Sequence, residues 1–397
     1  MAQVGLGVVA REWFRIGVTG FGGPPAHIAL LRRLVVDRMA WMDAPAFEDA
    51  NAACQMLPGP ASTQLAIFCA YRVAGVPGAI VGGLMFVVPA VVLVLVLALL
   101  FLGRSPPLWV QGAGAGASAA VAAVAVAAAR GLLGPSLARA RPFPGRRNRW
   151  AIYLVFGAAG AALVGPYLVL VLVGCGGVEM FVQTRQSRRR DRPHTGSDRP
   201  RTGRDRLGSV TALLPATIAP GGIGALVWTA LKVGALSFGG GFVIVPLMQS
   251  DAVHTYHWMT NARFLEAVAL GQVTPGPVVA TIAAVGYAAH GIGGGLLAAA
   301  VAFLPSFAFI LFGGGRFERL RANPAARAFL DGAGPAAIGA ILGAAIVLAG
   351  ALHEDWQLAV LAVAALALLG LRRGIVETLL WAGGVGVIAA LLGAPLP

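Results

Sequence analysis

The chain has 397 residues, of which 58% are hydrophobic and 12% are charged, roughly half the charged share of a soluble domain. This composition excludes an ordinary soluble protein and predicts one that crosses a membrane several times. The formal net charge of +14 would suggest nucleic-acid binding in a soluble protein. Here much of it falls in predicted loops, where membrane topology explains it, so no nucleic-acid partner is expected.

The first half of the chain is predicted to form apolar helices interrupted by one break. A helix over residues 5–23 is followed by an amphipathic stretch, 27–37, and then by two half-length helices, 47–57 and 61–73. Pro58-Gly59-Pro60 separates the two short helices, because two prolines flanking a glycine break a helix. Neither short helix is long enough to cross a bilayer, so we interpret them as a re-entrant hairpin. Four transmembrane spans follow, over residues 76–102, 108–133, 150–164 and 167–182.

Residues 184–206 differ from their surroundings. They include no apolar side chain and many arginines, so they cannot bury a core and are predicted to form a disordered basic linker. We therefore divide the chain into a first transmembrane repeat (residues 1–183), a cytoplasmic linker (184–218) and a second transmembrane repeat (219–397).

The second half repeats the first at a distance of 217 residues. This offset aligns Phe21-Gly22-Gly23 with Phe238-Gly239-Gly240, and Gln55 with Gln272. It also aligns Pro58-Gly59-Pro60 with Pro275-Gly276-Pro277. A register without gaps over this part of the chain indicates an internal duplication.

Loops that are basic in one half have counterparts in the other half that are not basic. The predicted loop 139–149 carries five arginines, whereas its counterpart, His353-Glu354-Asp355, is acidic. Since basic loops stay in the cytoplasm, the halves are predicted to insert in opposite orientations. The fold class that follows is an all-α polytopic membrane protein of two inverted repeats, each with about five transmembrane helices plus a re-entrant helical hairpin. Both termini would lie outside and the linker in the cytoplasm.

The two Pro-Gly-Pro breaks are the leading candidates for a substrate site. A helix that starts after a break begins with N–H groups that have no intrahelical partner, and its dipole is positive there. Two such helix ends meeting near the middle of the membrane would bind an anion through the backbone. The alternative is that each break is only a tight structural turn. The residues predicted to contribute are Gln55, Pro58, Gly59, Pro60, Ser62 and Thr63 in the first half and Gln272, Pro275, Gly276 and Pro277 in the second.

Further candidates lie before the breaks. Arg15 and Lys232 occupy equivalent positions in the first helix of each half, where a cation would attract an anion or else extend to the membrane surface. His27 is interpreted as a ligand or a proton carrier, with a structural hydrogen bond as the alternative. Glycines at the end of each first helix would let a ligand approach the backbone, or serve packing alone. These glycines are Gly22, Gly23, Gly239 and Gly240.

Three acidic residues lie near the hairpins: Glu48, Asp49 and Glu266. They are expected to pair with arginines, with proton coupling as the alternative. The sequence has no metal-binding, nucleotide-binding or nucleophile motif of the well-known kinds. We therefore expect no metal, no cofactor and no enzymatic activity, and a membrane-embedded enzyme is the weaker hypothesis.

The motifs together resemble those of the chromate ion transporter family, in its long, two-domain form. The resemblance covers nearly the whole chain, and the motifs are specific in combination, whereas Pro-Gly-Pro alone would be weak. The segments that carry it are Phe21-Gly22-Gly23-Pro24, Ala26-His27, Leu57-Pro58-Gly59-Pro60, Tyr71-Arg72, Gly78, Ser237-Phe238-Gly239-Gly240-Gly241 and Thr274-Pro275-Gly276-Pro277. Pro25, Thr63 and the long arginine-rich linker depart from the family pattern.

The resemblance implies a multi-pass protein of the bacterial cytoplasmic (inner) membrane that exports chromate, a divalent tetrahedral oxyanion. Its partners would be that oxyanion and the lipid bilayer, and a homodimer is compatible with this reading. Two alternatives keep the same fold: a transporter of sulfate or another anion, and an anion channel.

Overall fold

The structure is a computed structural model that describes residues 4–55, 57, 59–103, 105–141, 145–164, 167–190, 221–237, 243–313 and 323–396. All regular secondary structure in these residues is helical. The helices of the first half are α1 (Leu6–Thr19), α2 (Pro24–Arg32, continued by a π-helical turn, Arg33–Arg38), α3 (Ala44–Cys54), α4 (Ala61–Phe101), α5 (Leu108–Ala140), α6 (Arg146–Ala159, continued by Gly160–Val164) and α7 (Leu168–Arg190). The helices of the second half are α8 (Ile223–Leu236), α9 (Ile244–Gln249, continued by Ser250–Thr255), α10 (Asn261–Val273), α11 (Thr281–Gly313, preceded by the turn Val278–Ala280), α12 (Pro324–Gly350), α13 (Asp355–Ala365, continued by Leu366–Gly370) and α14 (Ile375–Leu391).

Five of the described helices are long and apolar enough to cross a bilayer. They lie at Ala61–Phe101, Leu108–Ala140, Leu168–Gln186, Val278–Gly313 and Pro324–Gly350. Shorter apolar helices lie at Ile223–Leu236, Asp355–Gly370 and Ile375–Leu391. The prediction of an all-helical, polytopic membrane protein is therefore confirmed, whereas five spans in each half and their opposite orientation remain predictions.

Residues one repeat apart share their backbone geometry. Helices α1 and α8 each have 14 residues, and α2 and α9 both end in a six-residue π-helical turn. After this turn Ala40 and His257 both adopt a left-handed conformation, with φ of 47° and 52°. The next helix in each half is capped by a side chain, since Asp43 accepts from the N–H of Ala46 and Thr260 accepts from that of Arg263.

Each predicted hairpin is followed by a second break before the long span. Helix α4 is interrupted at Ala74 and Gly75, and α11 at His290 and Gly291. Both glycines have φ of 65°, a conformation that favours glycine because other residues place a Cβ against the backbone. The short helix predicted over residues 61–73 is therefore confirmed as the segment before the interruption.

Helix α5 is longer than the sequence predicted. Its expected end was Leu133, before Gly134-Pro135, but the helix continues to Ala140. A proline inside a helix removes the hydrogen bond to the carbonyl four residues earlier, here that of Gly131. Gly131 and Pro135 both line an internal cavity, where an unpaired carbonyl is tolerated. The last two turns of α5 thus belong to the wall of this cavity rather than to a loop.

The two halves interlock through their long helices. Helix α12 of the second half packs against α6 and α7, while α5 of the first half packs against α13 and α14. Glycines allow this close approach: Gly339 lies on the backbone of Leu154, and Gly112 on that of Gly386. The described helices therefore form one bundle in which long helices of each half pack against helices of the other.

Candidate functional site

A cavity of about 680 Å³ lies where the two breaks meet. The breaks contribute Gln55, Leu57, Gly59, Gln272, Thr274 and Gly276 to its lining. One face of α5, within residues 127–139, and one face of α12, within residues 330–341, form further walls, which are mostly apolar. The cavity is therefore built by both halves.

Several helix starts converge on this cavity. Ala61 is the first residue of α4 and Val278 the first of the turn that leads into α11, and both line the cavity. Gly23 and Pro24, at the start of α2, line it as well. The first N–H groups of a helix have no intrahelical acceptor, and its dipole places about half a positive charge there. The two helix starts after the breaks thus line the same cavity. That they bind an anion stays a prediction.

The central glycine of each break has a conformation that only glycine adopts easily. Gly59 has φ of 119° and Gly276 has φ of 103°. Each also faces the opposite half. The N–H of Gly276 donates to the carbonyl of Gly20 at 3.0 Å, and a Cβ on Gly59 would lie 3.2 Å from the carbonyl oxygen of Gly234.

Gln272 lines the cavity and carries a buried hydrogen-bond donor. Its side chain is buried, with 7% of the residue exposed, and its Nε2 has no hydrogen-bond partner among the described residues. An unsatisfied buried donor costs about 1–3 kcal/mol, which a ligand with acceptor oxygens would recover. Its counterpart Gln55 is exposed and donates to Asn51 at 3.2 Å, so the two glutamines are not equivalent.

His27 is fully buried and does not line the cavity. Its Nε2 lies 2.9 Å from the carbonyl oxygen of Gly20, and its Nδ1 lies 3.3 Å from the hydroxyl of Ser62. A carbonyl can only accept, so Nε2 donates, and in the neutral ring Nδ1 accepts from Ser62. This geometry matches the structural hydrogen bond considered as the alternative role of His27. The carbonyl oxygen of Gly20 that His27 contacts also accepts a hydrogen bond from the N–H of Gly276.

The remaining predicted residues of the breaks and glycine segments differ in their position relative to the cavity. Ser62 and Thr63 are buried in the first turn of α4, and Pro60, Pro275 and Pro277 shape the breaks without lining the cavity. Gly22 lines the cavity beside Gly23. Pro58, Gly239 and Gly240 lie outside the described residues.

Arg15 and Lys232 do not reach the cavity in this structure. Arg15 is exposed on α1, whereas Lys232 Nζ lies 2.6 Å from Oδ2 of Asp251, which also accepts from Thr229 at 2.7 Å. Neither cation is among the residues that line the cavity. Their part in anion binding remains a prediction without a contact to support it.

The charge of the cavity lining is positive. Arg139, in the last turn of α5, is the one charged residue among the described residues that line the cavity. Sequence reasoning missed Arg139 and the neighbouring Ser136, because it ended the helix at Leu133. The signal was available in the spacing of Ala128, Leu132 and Ser136, which places them on one helical face.

The acidic residues of the hairpins lie outside this lining. Glu48 pairs with Arg32 at 3.3 Å, as predicted. Glu266 is directed toward α5, where a Cβ on Gly114 would lie 2.8 Å from its Oε1. The described residues that line the cavity therefore include no carboxylate.

Fold and site together define a polytopic helical membrane protein with a cavity between its two halves. The chain matches the family model for chromate transporters over residues 8–180 and 224–394, and it belongs to the chromate transporter family. The resemblance drawn from the motifs is thereby confirmed.

Three curated relatives illustrate this membership. The chain is 32% identical over 389 residues to the chromate transport protein of Cupriavidus metallidurans, covering 96% of this chain and 90% of the relative. It is 28% identical over 340 residues to the probable chromate transport protein of Synechococcus elongatus, covering 86% and 84%. It is 28% identical over 333 residues to the chromate transport protein of Pseudomonas aeruginosa, covering 83% and 78%. No solved structure matches the chain.

Proposed function

We propose that the chain is a secondary transporter that exports chromate across the bacterial cytoplasmic membrane. The proposal rests on Gln272, a residue that lines the cavity and whose buried amide nitrogen has no acceptor among the described residues. The names of the relatives support chromate as the substrate. The helix starts at the breaks, together with Gln272, support an oxyanion as the class of ligand.

The chemistry of the cavity suits a divalent oxyanion that must bind and then leave. Removing such an ion from water is costly unless fixed dipoles replace its hydration. The helix starts at Ala61 and Val278 provide N–H groups and positive dipole ends, and Gln272 adds an amide. Gly22 and Gly23 leave room for close approach. Because no described residue of the breaks is charged, the ion would be held there by hydrogen bonds that can be exchanged for water.

The reciprocal contacts of the breaks support a carrier that alternates between two states. Gly276 is tied to the end of α1, and Gly59 faces α8. A movement of one half against the other would therefore alter both breaks together. In an inverted repeat, such a movement closes the site to one side as it opens the other.

The test is uptake of labelled chromate by inverted membrane vesicles that contain the protein. We expect saturable uptake that is stimulated by unlabelled chromate trapped inside the vesicles. A carrier that takes unlabelled chromate out returns its binding site to the outer face, where it can bind labelled chromate. Saturable uptake of sulfate without chromate uptake would contradict the proposed substrate. Chromate flux without stimulation from the other side would identify a channel and contradict the carrier.

A further inference from the structure

We infer that the mouth of the cavity holds an outer anion-binding site, formed by Arg139 and Ser136 of α5, which receives the oxyanion before it reaches the breaks. The inference rests on the proposed function, because it assigns the first binding step of the same transport. It adds a second location for the ligand, at the end of a helix that sequence reasoning treated as a loop.

The position of the two residues supports this assignment. Ser136 and Arg139 are three residues apart on α5, so their side chains lie on the same face of the helix. Ala128 and Leu132 continue that face, and all four residues line the cavity. At 1.5 Å per residue, Arg139 lies about 16 Å along the helix from Ala128. Arg139 itself is exposed and lines the cavity, so it lies at the rim of the cavity.

The carboxylates that pair with Arg146, the neighbour of Arg139, also have other partners. Glu179 accepts from Arg149 at 2.7 and 3.0 Å and from Tyr153 at 3.0 Å. Asp331 is paired with Arg146, which lies close enough to Arg139 for the two cations to repel each other. Arg139 forms no ion pair with a described residue, so its charge is available to a mobile anion.

Ser136 adds a directed hydrogen-bond donor. It is buried, and its Oγ accepts from Nε1 of Trp150 on α6 at 3.0 Å. The indole can only donate, so the hydroxyl hydrogen of Ser136 is left to another acceptor. The guanidinium of Arg139 and the hydroxyl of Ser136, one helical turn apart, thus offer an oxyanion two kinds of donor. The indole of Trp150 fixes the position of the hydroxyl.

An exposed cation at a mouth acts mainly on the capture of an ion. It raises the local concentration of anions, and salt screens the effect. We therefore expect Arg139→Gln to raise the KM for chromate roughly 3- to 10-fold at low ionic strength, with little change in maximal rate, and to approach the wild type at about 0.5 M salt. Arg139→Lys should recover most of the loss, because the charge is kept.

The matched control is Arg141→Gln. Arg141 follows two residues later and is exposed, but it does not line the cavity, so its removal changes the surface charge of the same helix end by the same amount. Uptake is measured in inverted and in right-side-out vesicles at low and high salt. The expected result is a salt-sensitive rise in KM for Arg139→Gln, in the orientation that presents this end of α5, and none for Arg141→Gln.

Equal effects of the two substitutions in both orientations would overturn the outer site, as would a deficit of Arg139→Gln that salt leaves unchanged. These outcomes are distinct from failure of the proposed function, because that failure would appear as a lack of chromate transport by the wild-type protein. If the wild type transports sulfate but not chromate, the same comparison is made with sulfate and tests the outer site on that ion.

Discussion

The N–H of Gly276, in the break of the second half, donates a 3.0 Å hydrogen bond to the carbonyl oxygen of Gly20, at the end of the first helix of the first half. The same oxygen accepts from His27 at 2.9 Å. One carbonyl therefore ties the second break to the helix and the imidazole of the other half. A change in the relative position of the halves must shift the backbone that lines the cavity.

The central glycines of the breaks are predicted to be indispensable. Gly59→Val and Gly276→Val should each abolish chromate transport while the protein still inserts into the membrane. Both positions have positive φ, and a Cβ on Gly276 would lie 2.5 Å from that of Ala90, so a side chain distorts the break. Vesicle uptake and immunodetection of the inserted protein are the measurements.

A glycine in the same cavity provides the control. Gly131 lines the cavity on α5, and a Cβ there meets nothing within 4 Å, so Gly131→Ala should retain transport. Pro58→Ala and Pro275→Ala should be milder than the glycine substitutions, because the helix would re-form only partly. Normal transport by Gly59→Val would show that the anion does not bind at this break.

Lys232 and Arg15 are predicted to differ in their effect on stability, although the repeat makes them equivalent. Lys232 is 16% exposed and its partner Asp251 is 4% exposed, so Lys232→Gln leaves a buried carboxylate unpaired. Breaking such a pair costs about 3–5 kcal/mol. Arg15→Gln should change stability little, since Arg15 is exposed. Thermal unfolding of the detergent-solubilised variants measures the difference.

A double substitution checks the reason for the loss at Lys232. Lys232→Met with Asp251→Asn removes both charges and keeps an acceptor for Thr229, so it should recover most of the stability. If the double variant is as unstable as Lys232→Gln, the unpaired carboxylate is not the cause. Weakened chromate affinity in a stable Arg15→Gln protein would support the direct role predicted from the sequence.

The predicted topology can be tested with introduced cysteines. A membrane-impermeant thiol reagent applied from outside should label cysteines placed at Ser105 and Glu354, but not one placed at Arg141, Arg199 or Arg321. The positive-inside rule places the last three in the cytoplasm. The native Cys54, Cys69 and Cys175 are buried, which keeps the background low. Labelling of Arg141 and Glu354 positions from the same side would refute the inverted repeat.

The repeated motifs predicted much of the local structure. The offset of 217 residues carries over to helices α1 and α8 and to the left-handed residues Ala40 and His257, because equivalent sequences impose equivalent backbone geometry. The breaks at Gly59 and Gly276 could be predicted for the same reason, since proline and glycine act on their own neighbours in the chain.

Tertiary contacts decided what the sequence could not predict. The position equivalent to Asp251 in the first half is Leu34, so only Lys232 acquires a carboxylate partner, and this depends on how α8 packs against the turn after α9. Helix α5 continues past Gly134-Pro135, because a cavity tolerates the carbonyl that Pro135 leaves unpaired. Ser136 and Arg139 were missed with that continuation.

If donors at the breaks bind the anion, removing the amide of Gln272 should weaken binding. The measurement is equilibrium binding of labelled chromate to purified wild type and to Gln272→Leu, with Gln357→Leu as the control. Gln357 is also buried but bonds to Ala115 and does not line the cavity. A hydrogen bond to a charged group contributes about 1.5–3 kcal/mol, so Gln272→Leu should weaken binding about 10- to 100-fold while Gln357→Leu binds like the wild type. Wild-type affinity in a folded Gln272→Leu protein would show that this amide does not bind the anion.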